Sequence, residues 1–162
     1  MSMTQPTPGL EQGLTTLLER VKAAKGPDRE IDRRLFMFER GFTRIEQDHD
    51  STGPRFYAWS GERYQGEITS QPRPAYTASI EAALAFVERK LPGWRWGVSS
   101  HSFRGGETYP DGKPKYVDGY RAHVTERSAL RPMSTISDAR TPPLAILAAL
   151  LEALSRANGE QP

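Results

Sequence analysis

YTASIEAALAFVERKLPGWRWGVSS, residues 76–100, decides the fold because it contains a helix, a stop and a strand in direct succession. Thr77 and Ser79 are candidate N-cap residues, and Glu81 places negative charge in the first turn, where the helix dipole favours it. Apolar residues recur at helical spacing at Ile80, Ala83, Leu84, Val87 and Leu91. Pro92-Gly93 then ends the helix, since proline cannot continue it and glycine accepts the left-handed exit.

The residues after this stop have the two-residue period of a β-strand. Trp94, Trp96 and Val98 alternate with Arg95, Gly97 and Ser99 over a strand from Trp94 to Ser100. This alternation predicts that both tryptophans belong to the core. A second strand, from about Gly119 to Thr125, alternates in the same way and carries Arg121 and His123 on its polar face.

The register between these two strands decides which side chains meet. A simple hairpin that turns at Asp111-Gly112 would put Trp96 on the same face as Arg121 and His123. The apolar residues of the two strands would then lie on opposite faces of the sheet. We therefore expect either a bulge or a longer excursion in the intervening loop. When the apolar faces agree, the opposite face collects five polar residues: Arg95, Ser99, His101, Arg121 and His123.

The rest of the chain predicts further helices around this unit. Helices are expected at about 10–25, from Asp28 to Gly41, and from Thr141 to Ala157, with a β-hairpin of residues 56–59 and 64–68. Residues 42–55 show no clear period, and residues 126–140 are predicted to be loop. Met1–Gly9 is expected to be a disordered tail, and residues 10–158 a single domain. The fold class is α+β, a sandwich of one small antiparallel sheet packed by helices.

Composition limits the classes of function. The chain of 162 residues has no cysteine, which excludes disulfides and thiolate metal sites, and its net charge of +2 demands no polyanionic partner. Residues 94–131 hold seven Lys and Arg against four Asp and Glu, an excess small enough for an ordinary solvated face. The N-terminus lacks the pattern of a signal peptide and no apolar run could span a bilayer. We expect a cytoplasmic protein without membrane contact.

Three motifs resemble a group of small phage and prophage proteins described as phage α-β-α sandwich domains. They are YTASIEAA at 76–83, LPGW at 91–94 and TPPLA at 141–145. The resemblance covers about the last ninety residues and, more loosely, the GPDRE segment at 26–30. It implies a fold and a phage origin, with action in the cytoplasm of an infected host, and it brings no catalytic residues.

Enzymatic chemistry would need a nucleophile with a base, a carboxylate pair or a metal cluster. His49 lies within Asp48-His49-Asp50, which could hold a metal but also fits an exposed turn. His101 and His123 could approach across the sheet as an acid/base pair, although a polar sheet face explains them equally simply. We expect a non-enzymatic protein with no metal and no cofactor.

Aromatic residues and cations in the 94–123 region favour binding of a small phosphorylated ligand, because aromatic rings stack on bases and arginine holds phosphate. The predicted function is sequestration of a nucleotide-type signal, as in countering bacterial antiviral defence. Two alternatives stay open, namely a structural or interaction module that works through homo-oligomerisation and protein contacts, and a weak nucleic-acid binder. The predicted ligand-binding residues are Arg95, His101, Phe103, Arg104, Tyr109, Lys113, Arg121 and His123.

The last helix also predicts an oligomer. Leucine or isoleucine occupies positions 144, 146, 147, 150, 151 and 154, which is more than one narrow stripe against a sheet can accommodate. Coverage by the N-terminal helices of the same chain is the alternative. We expect a homodimer built on the Thr141–Ala157 helix, with twofold symmetry as the commonest arrangement.

Overall fold

The elements are those of an α+β protein, which confirms the predicted class. A computed structural model describes residues 8–50, 53–68, 74–127 and 133–158. Its helices are α1 (Pro8–Ala23), α2 (Arg29–Arg40), α3 (Ile80–Lys90) and α4 (Pro142–Ala157). Its strands are β1 (Arg44–Asp50), β2 (Gly53–Ser60), β3 (Arg63–Ile68), β4 (Arg95–Thr108), β5 (Pro114–Thr125) and β6 (Ser134–Ala139). The predicted single sheet is wrong, because these strands form two antiparallel sheets in the orders β1-β2-β3 and β4-β5-β6.

Helix α4 is the centre of the core. Its leucines and isoleucine from Leu144 to Leu151 are buried, since β5 and β6 contact one side of the helix while α1 and α3 contact others. The apolar excess that predicted a dimer on this helix is therefore covered within one chain. Among the leucine and isoleucine side chains of α4, only Leu154 is partly exposed, which removes the reason for placing the interface on this helix. The homo-oligomer itself stays a prediction.

A buried polar contact joins α2 to the segment before α3. The Asp32 carboxylate is 2% exposed and accepts hydrogen bonds from the Thr77 backbone N–H at 2.8 Å and from the Thr77 hydroxyl at 2.9 Å. Asp28 caps α2 by accepting from the backbone N–H groups of Glu30 and Ile31. Because Thr77 is engaged with Asp32, Ser79 alone caps α3, where it accepts from the Ala82 N–H.

The buried face of α3 differs from the predicted stripe. Ala83, Phe86, Val87 and Leu91 are buried, whereas Ile80 is 37% exposed. Phe86 replaces Ile80 in the core because its ring packs on the Tyr76 ring, with the two centroids 5.1 Å apart. The helix ends at Lys90, and Gly93 follows with a φ of +78°, as the Pro-Gly stop predicts.

The sheet β4-β5-β6 packs against α4 through small and branched residues such as Ala122 and Val124, both buried. Trp94 is partly buried against the core, as predicted, but Trp96 is 41% exposed, so its core assignment is wrong. Trp96 is exposed because of the place of β4 in the sheet. β4 is an edge strand, and α4 packs mainly on β5 and β6.

Strand β6 occupies a segment predicted to be loop. Its alternation is reversed, since Thr135 and Ser137 are buried while Ile136 is 59% exposed. The buried hydroxyls are satisfied by α4, because Thr135 donates to the Ala149 carbonyl at 2.6 Å and Ser137 donates to the Glu152 carboxylate at 2.7 Å. A hydrophobicity pattern therefore could not identify this strand.

The sheet β1-β2-β3 confirms the predicted hairpin, which joins β2 to β3 through Gly61 and Glu62, and adds β1 at a segment without clear period. Ile45 and Ala58 are buried on one face, and the Arg33 guanidinium donates to the Ile45 carbonyl at 2.9 Å. On the other face the Trp59 ring lies 5.3 Å from the Tyr64 ring and 4.7 Å from the Arg44 guanidinium. These contacts form a small satellite cluster.

The predicted tail falls partly outside the described residues, since the structure begins at residue 8 and Pro8 and Gly9 are already helical. Among the described residues, no helix has the length and apolar character needed to cross a bilayer.

Candidate functional site

The candidate site is the face of the sheet β4-β5-β6 that points away from α4. We call it the open face and define it by six residues from three strands: Ser99, His101, Arg121, His123, Ile136 and Asp138. Their common side follows from the strand register, because directly paired residues in an antiparallel sheet share a face. The alternation in the sequence predicted this grouping for the four residues of β4 and β5.

The register brings the polar residues of the open face into one patch. Ser99 pairs directly with Arg121, and Arg121 pairs in turn with Asp138 on β6. His123 lies two residues from Arg121 along β5, and His101 lies two residues from Ser99 along β4. With strands about 4.8 Å apart and about 6.7 Å between alternate residues, Ser99 and Arg121 lie side by side at the centre, while His101 and His123 flank them on opposite sides with their backbones about 14 Å apart.

The Arg121 guanidinium is held in place by Asp138. Its Nε donates to Asp138 Oδ1 at 2.8 Å and its Nη2 donates to Oδ2 at 3.0 Å, a bidentate pair. These bonds hold the pKa of the Asp138 carboxyl below its usual range, with the nearby Arg121 and His101 charges adding to the effect. They raise the pKa of Arg121. Because a guanidinium has five N–H donors, Arg121 keeps three for a ligand.

Two glycines fix the rings at the ends of this patch. The His123 ring lies over Gly97, where an added Cβ would be 2.3 Å from the ring carbon Cε1. The Phe103 ring lies over Gly119, where an added Cβ would be 2.4 Å from the ring and 2.5 Å from the Ala139 carbonyl oxygen. Both rings therefore lie against the backbone of the neighbouring strand at a position where only glycine leaves room for them.

The other predicted site residues lie elsewhere. Arg95 is on the same face but four residues from Ser99 along β4, about 13 Å away. The segment predicted to be a loop over the ligand is mostly strand, because β4 runs to Thr108 and β5 starts at Pro114. Arg104 is five residues beyond Ser99, about 16 Å away, and pairs with Tyr116. One small ligand cannot contact all eight residues.

Residues 102–118 form a two-stranded projection beyond the end of β6, which we call the arm. Tyr109 and Lys113 lie at its tip, where the Tyr109 N–H bonds to the Lys113 carbonyl at 2.8 Å. Lys113 pairs with Asp111 at 3.1 Å, and Lys115 pairs with Glu107 at 3.4 Å. The arm contains three basic and three acidic residues, whose formal charges sum to zero, so it has no net positive charge to attract a polyanion.

Sequence reasoning missed Asp138 and Ile136, the contributions of β6 to the open face. The reversed alternation of β6 concealed the strand. One signal was available, since residues 95–101 and 119–125 contain two arginines and two histidines and no carboxylate. A partner for Arg121 therefore had to come from another element.

The described residues contain no group of three or more His, Asp and Glu side chains placed to hold a metal ion. The side chains of His49 and Asp50 lie outside the described residues, so the possible metal site at Asp48-His49-Asp50 stays untested. On the open face, His101 and Asp138 are close enough to interact electrostatically. Asp138 is already engaged with Arg121, which favours a positioning role for this carboxylate.

Replacing Asp138 with asparagine gives a pH-dependent loss of stability. Because the folded-state pKa of Asp138 is depressed, the ionised carboxylate stabilises the fold above its unfolded pKa, about 3.9, and this contribution disappears as pH falls through the folded pKa. The contribution is small, because solvent screens an exposed ion pair. Urea unfolding should show a clear difference between the two proteins from pH 8 to 5 and a smaller one below pH 4. A difference that stays undiminished below pH 3 would contradict this assignment.

Comparison with protein-family models, with curated proteins and with solved structures returns no match to the chain. The resemblance to phage α-β-α sandwich domains accordingly stays a prediction, and the function has to be inferred from the geometry of the open face.

Proposed function

We propose that the protein is a non-enzymatic binding protein whose open face takes a small phosphorylated ligand of the nucleotide type. The observation that carries this proposal is the meeting of Ser99, His101, Arg121 and His123 on one exposed face. Arginine, histidine and serine side chains donate hydrogen bonds to phosphate oxygens, and the fixed Arg121 guanidinium supplies the strongest of them.

Two further features support a nucleotide rather than a bare anion. The Phe103 ring lies at one end of the patch and the His123 ring at the other, both partly or fully accessible to solvent. A planar base can stack on either ring while its phosphate reaches Arg121, and stacking contributes about 1–3 kcal/mol per base. Bound in this way, the ligand would be sequestered without being converted.

The setting of this activity follows from the sequence resemblance alone. The motifs at 76–83, 91–94 and 141–145 favour a phage-encoded protein that acts in the host cytoplasm. Sequestration of a nucleotide signal of bacterial antiviral defence is the role we propose there. The net charge of +2 and the neutral arm make a nucleic acid the weaker partner.

A thermal-shift screen against mononucleotides, dinucleotides and cyclic oligonucleotides tests the proposal. A ligand present at a hundred times its dissociation constant stabilises the fold by about 2.7 kcal/mol, which raises the melting temperature by several degrees. Inorganic phosphate in the same screen separates recognition of the base from recognition of the anion. An unchanged melting temperature with every compound would reject the proposal.

A matched pair of variants locates the ligand. Arg121→Gln removes the guanidinium of the open face and should weaken binding of the ligand found in the screen at least tenfold by titration calorimetry. Arg104→Gln makes the same chemical change on the arm, about 16 Å away along β4, and should leave the affinity unchanged. Equal effects of both variants would place the site elsewhere.

The arm favours a second candidate function, an interaction module for another protein. Tyr109 and Tyr116 are 53% and 62% exposed, and the arm extends beyond the third strand of its sheet. Exposed tyrosines are enriched in protein interfaces. Deleting residues 105–112 and joining the two strands with a two-residue turn should abolish such a contact without changing nucleotide binding at the open face.

A further inference from the structure

Strand β4 presents a long unpaired edge. It pairs with β5 without interruption from Arg95 to Arg104, and no other described strand pairs with it. Natural proteins protect such edges with prolines, bulges, lysines or short strands, because an open edge pairs readily with another strand. Between Arg95 and Arg104 there is no proline, no lysine and no bulge, and the strand is about 33 Å long.

The hydrogen-bonding direction of this edge follows from the ladder of the sheet. The Glu126 N–H bonds to the Met133 carbonyl, so the even-numbered residues of β5 use their backbone groups toward β6. The odd-numbered residues of β5 therefore face β4, and they pair with odd-numbered residues of β4. The N–H and C=O groups of Trp96, Val98, Ser100 and Ser102 consequently point outward from the sheet.

The opposite edge of the same sheet is protected. Strand β6 has only six residues, and the same alternation directs the backbone groups of Ser134 and Ile136 outward. The Arg156 side chain donates to the Ser134 carbonyl at 3.3 Å, which agrees with this direction and occupies part of the edge. Helix α1 also contacts β6. The contrast makes β4 the edge that is available for pairing.

We propose that β4 pairs with β4 of a second copy of this chain across a twofold axis, which gives one continuous six-stranded antiparallel sheet. A twofold axis perpendicular to a sheet makes two identical edge strands antiparallel, so the edge matches itself. Main-chain bonds of this kind are a recurring mode of strand addition. The interface lies on β4, in place of the one predicted on α4.

The side chains of the edge are also self-complementary. A residue whose backbone groups point outward lies opposite a residue of the same kind in the partner strand. The backbone groups of Arg104 point outward and those of Arg95 point toward β5, so these two arginines cannot lie directly opposite each other. An axis at Ser100 sets the exposed Trp96 ring opposite the Arg104 guanidinium of the partner, a favourable cation–aromatic pair. The centre of the interface consists of small side chains at Ser99 and Ser100, which are exposed in the single chain.

This pairing has a consequence for the open face. Opposed residues share a face, so the open faces of the two copies lie on the same side of the continuous sheet. Ser99 and His101 of one copy are then next to the equivalent residues of the partner. The dimer would double the area available to a ligand across the axis.

Light scattering at micromolar concentrations tests the proposal, with an expected mass of twice 18.1 kDa. Ser100→Pro removes an outward N–H and leaves the bonds between β4 and β5 intact, so it should return the mass to that of one chain while the circular-dichroism spectrum is kept. Ile136→Pro is the matched control, because it removes an outward N–H from the β6 edge and should leave the mass doubled.

Several outcomes would overturn the proposal. They are a wild-type mass of one chain throughout the concentration range, a folded Ser100→Pro protein of doubled mass, and an Ile136→Pro protein that is folded and monomeric. If the circular-dichroism spectrum shows that Ser100→Pro does not fold, the Ser100→Asp variant tests the interface instead. It puts like charges opposite each other at the axis and spares the backbone, so a folded monomer supports the β4 interface and a folded dimer contradicts it.

Discussion

Replacing Leu147 with alanine should lower the free energy of unfolding by about 2–5 kcal/mol, the range for a buried leucine whose removal leaves a cavity. Leu147 is 0% exposed at the middle of α4, where the helix contacts the sheet and the helices α1 and α3. Urea unfolding followed by circular dichroism measures the change. The loss is the largest we expect from a single apolar substitution, because the sheet β4-β5-β6 and the helices α1 and α3 all contact this helix.

The control for this prediction is Ile136→Ala. This side chain is also aliphatic but is 59% exposed on β6, so its truncation should change the free energy of unfolding by about 0.5 kcal/mol or less. A loss below 1 kcal/mol for Leu147→Ala would contradict the central position of α4. A large loss for Ile136→Ala would instead indicate that another surface covers β6.

Replacing Asp32 with alanine should cost about 3–6 kcal/mol, since two hydrogen bonds to a charged group are lost at about 1.5–3 kcal/mol each. Both bonds come from Thr77, which is itself buried, so its backbone N–H would be left without a partner, while its hydroxyl would keep its contacts with the Asp28 backbone. The contact joins α2 to the entry of α3, and no apolar packing can replace it. Thermal and urea unfolding measure the loss.

Asp32→Asn is the matched variant for this contact. It keeps an acceptor oxygen for Thr77 and removes the negative charge, so the expected loss is about 1–2 kcal/mol. The double variant Asp32→Ala with Thr77→Val should be clearly more stable than the sum of the two single losses predicts, because both changes remove the same bonds. Strictly additive losses would show that the two residues do not act together.

Much of the helical framework could be predicted from the sequence. The Ser79 cap, the Pro92-Gly93 stop and Pro142 at the start of α4 are local signals, and local signals do not depend on the rest of the chain. The environment of α4 could not be predicted in this way. Its nearly uniform apolar surface suits either a second subunit or a central position in one chain. Only the packing of α1 and α3 on this helix shows that its position is central within one chain.

The sheet was harder to predict because its pattern depends on contacts with α4. Thr135 and Ser137 point inward since two α4 acceptors satisfy their hydroxyls, and this inverts the usual alternation of β6. The turn between β4 and β5 has three residues, 110–112, since the Tyr109 N–H bonds to the Lys113 carbonyl, and this resolves the disagreement expected from a two-residue turn at Asp111-Gly112. The register shift between Arg104 and Thr108 moves the pairing by two residues and keeps the faces. Neither feature has a signature in hydrophobic periodicity.

The candidate site was predictable in part. Strand alternation alone groups Ser99, His101, Arg121 and His123, and the register places them together. The predicted loop residues Arg104, Tyr109 and Lys113 do not join them, because the segment continues the two strands as an arm. Asp138 could not be assigned without β6. The part of the site that follows from a two-residue period was therefore predictable, and the part that depends on tertiary contacts was not.

Amide chemical-shift mapping tests most directly the claim that the open face is the binding site. The protein labelled with nitrogen-15 is titrated with the nucleotide that gives the largest thermal shift. We predict concentration-dependent shifts for the amides of Ser99, His101, Arg121, His123 and Asp138, with little change at the arm tip or in β1–β3. Shifts confined to the arm or to the first sheet, or no shifts at saturating ligand, would contradict the claim.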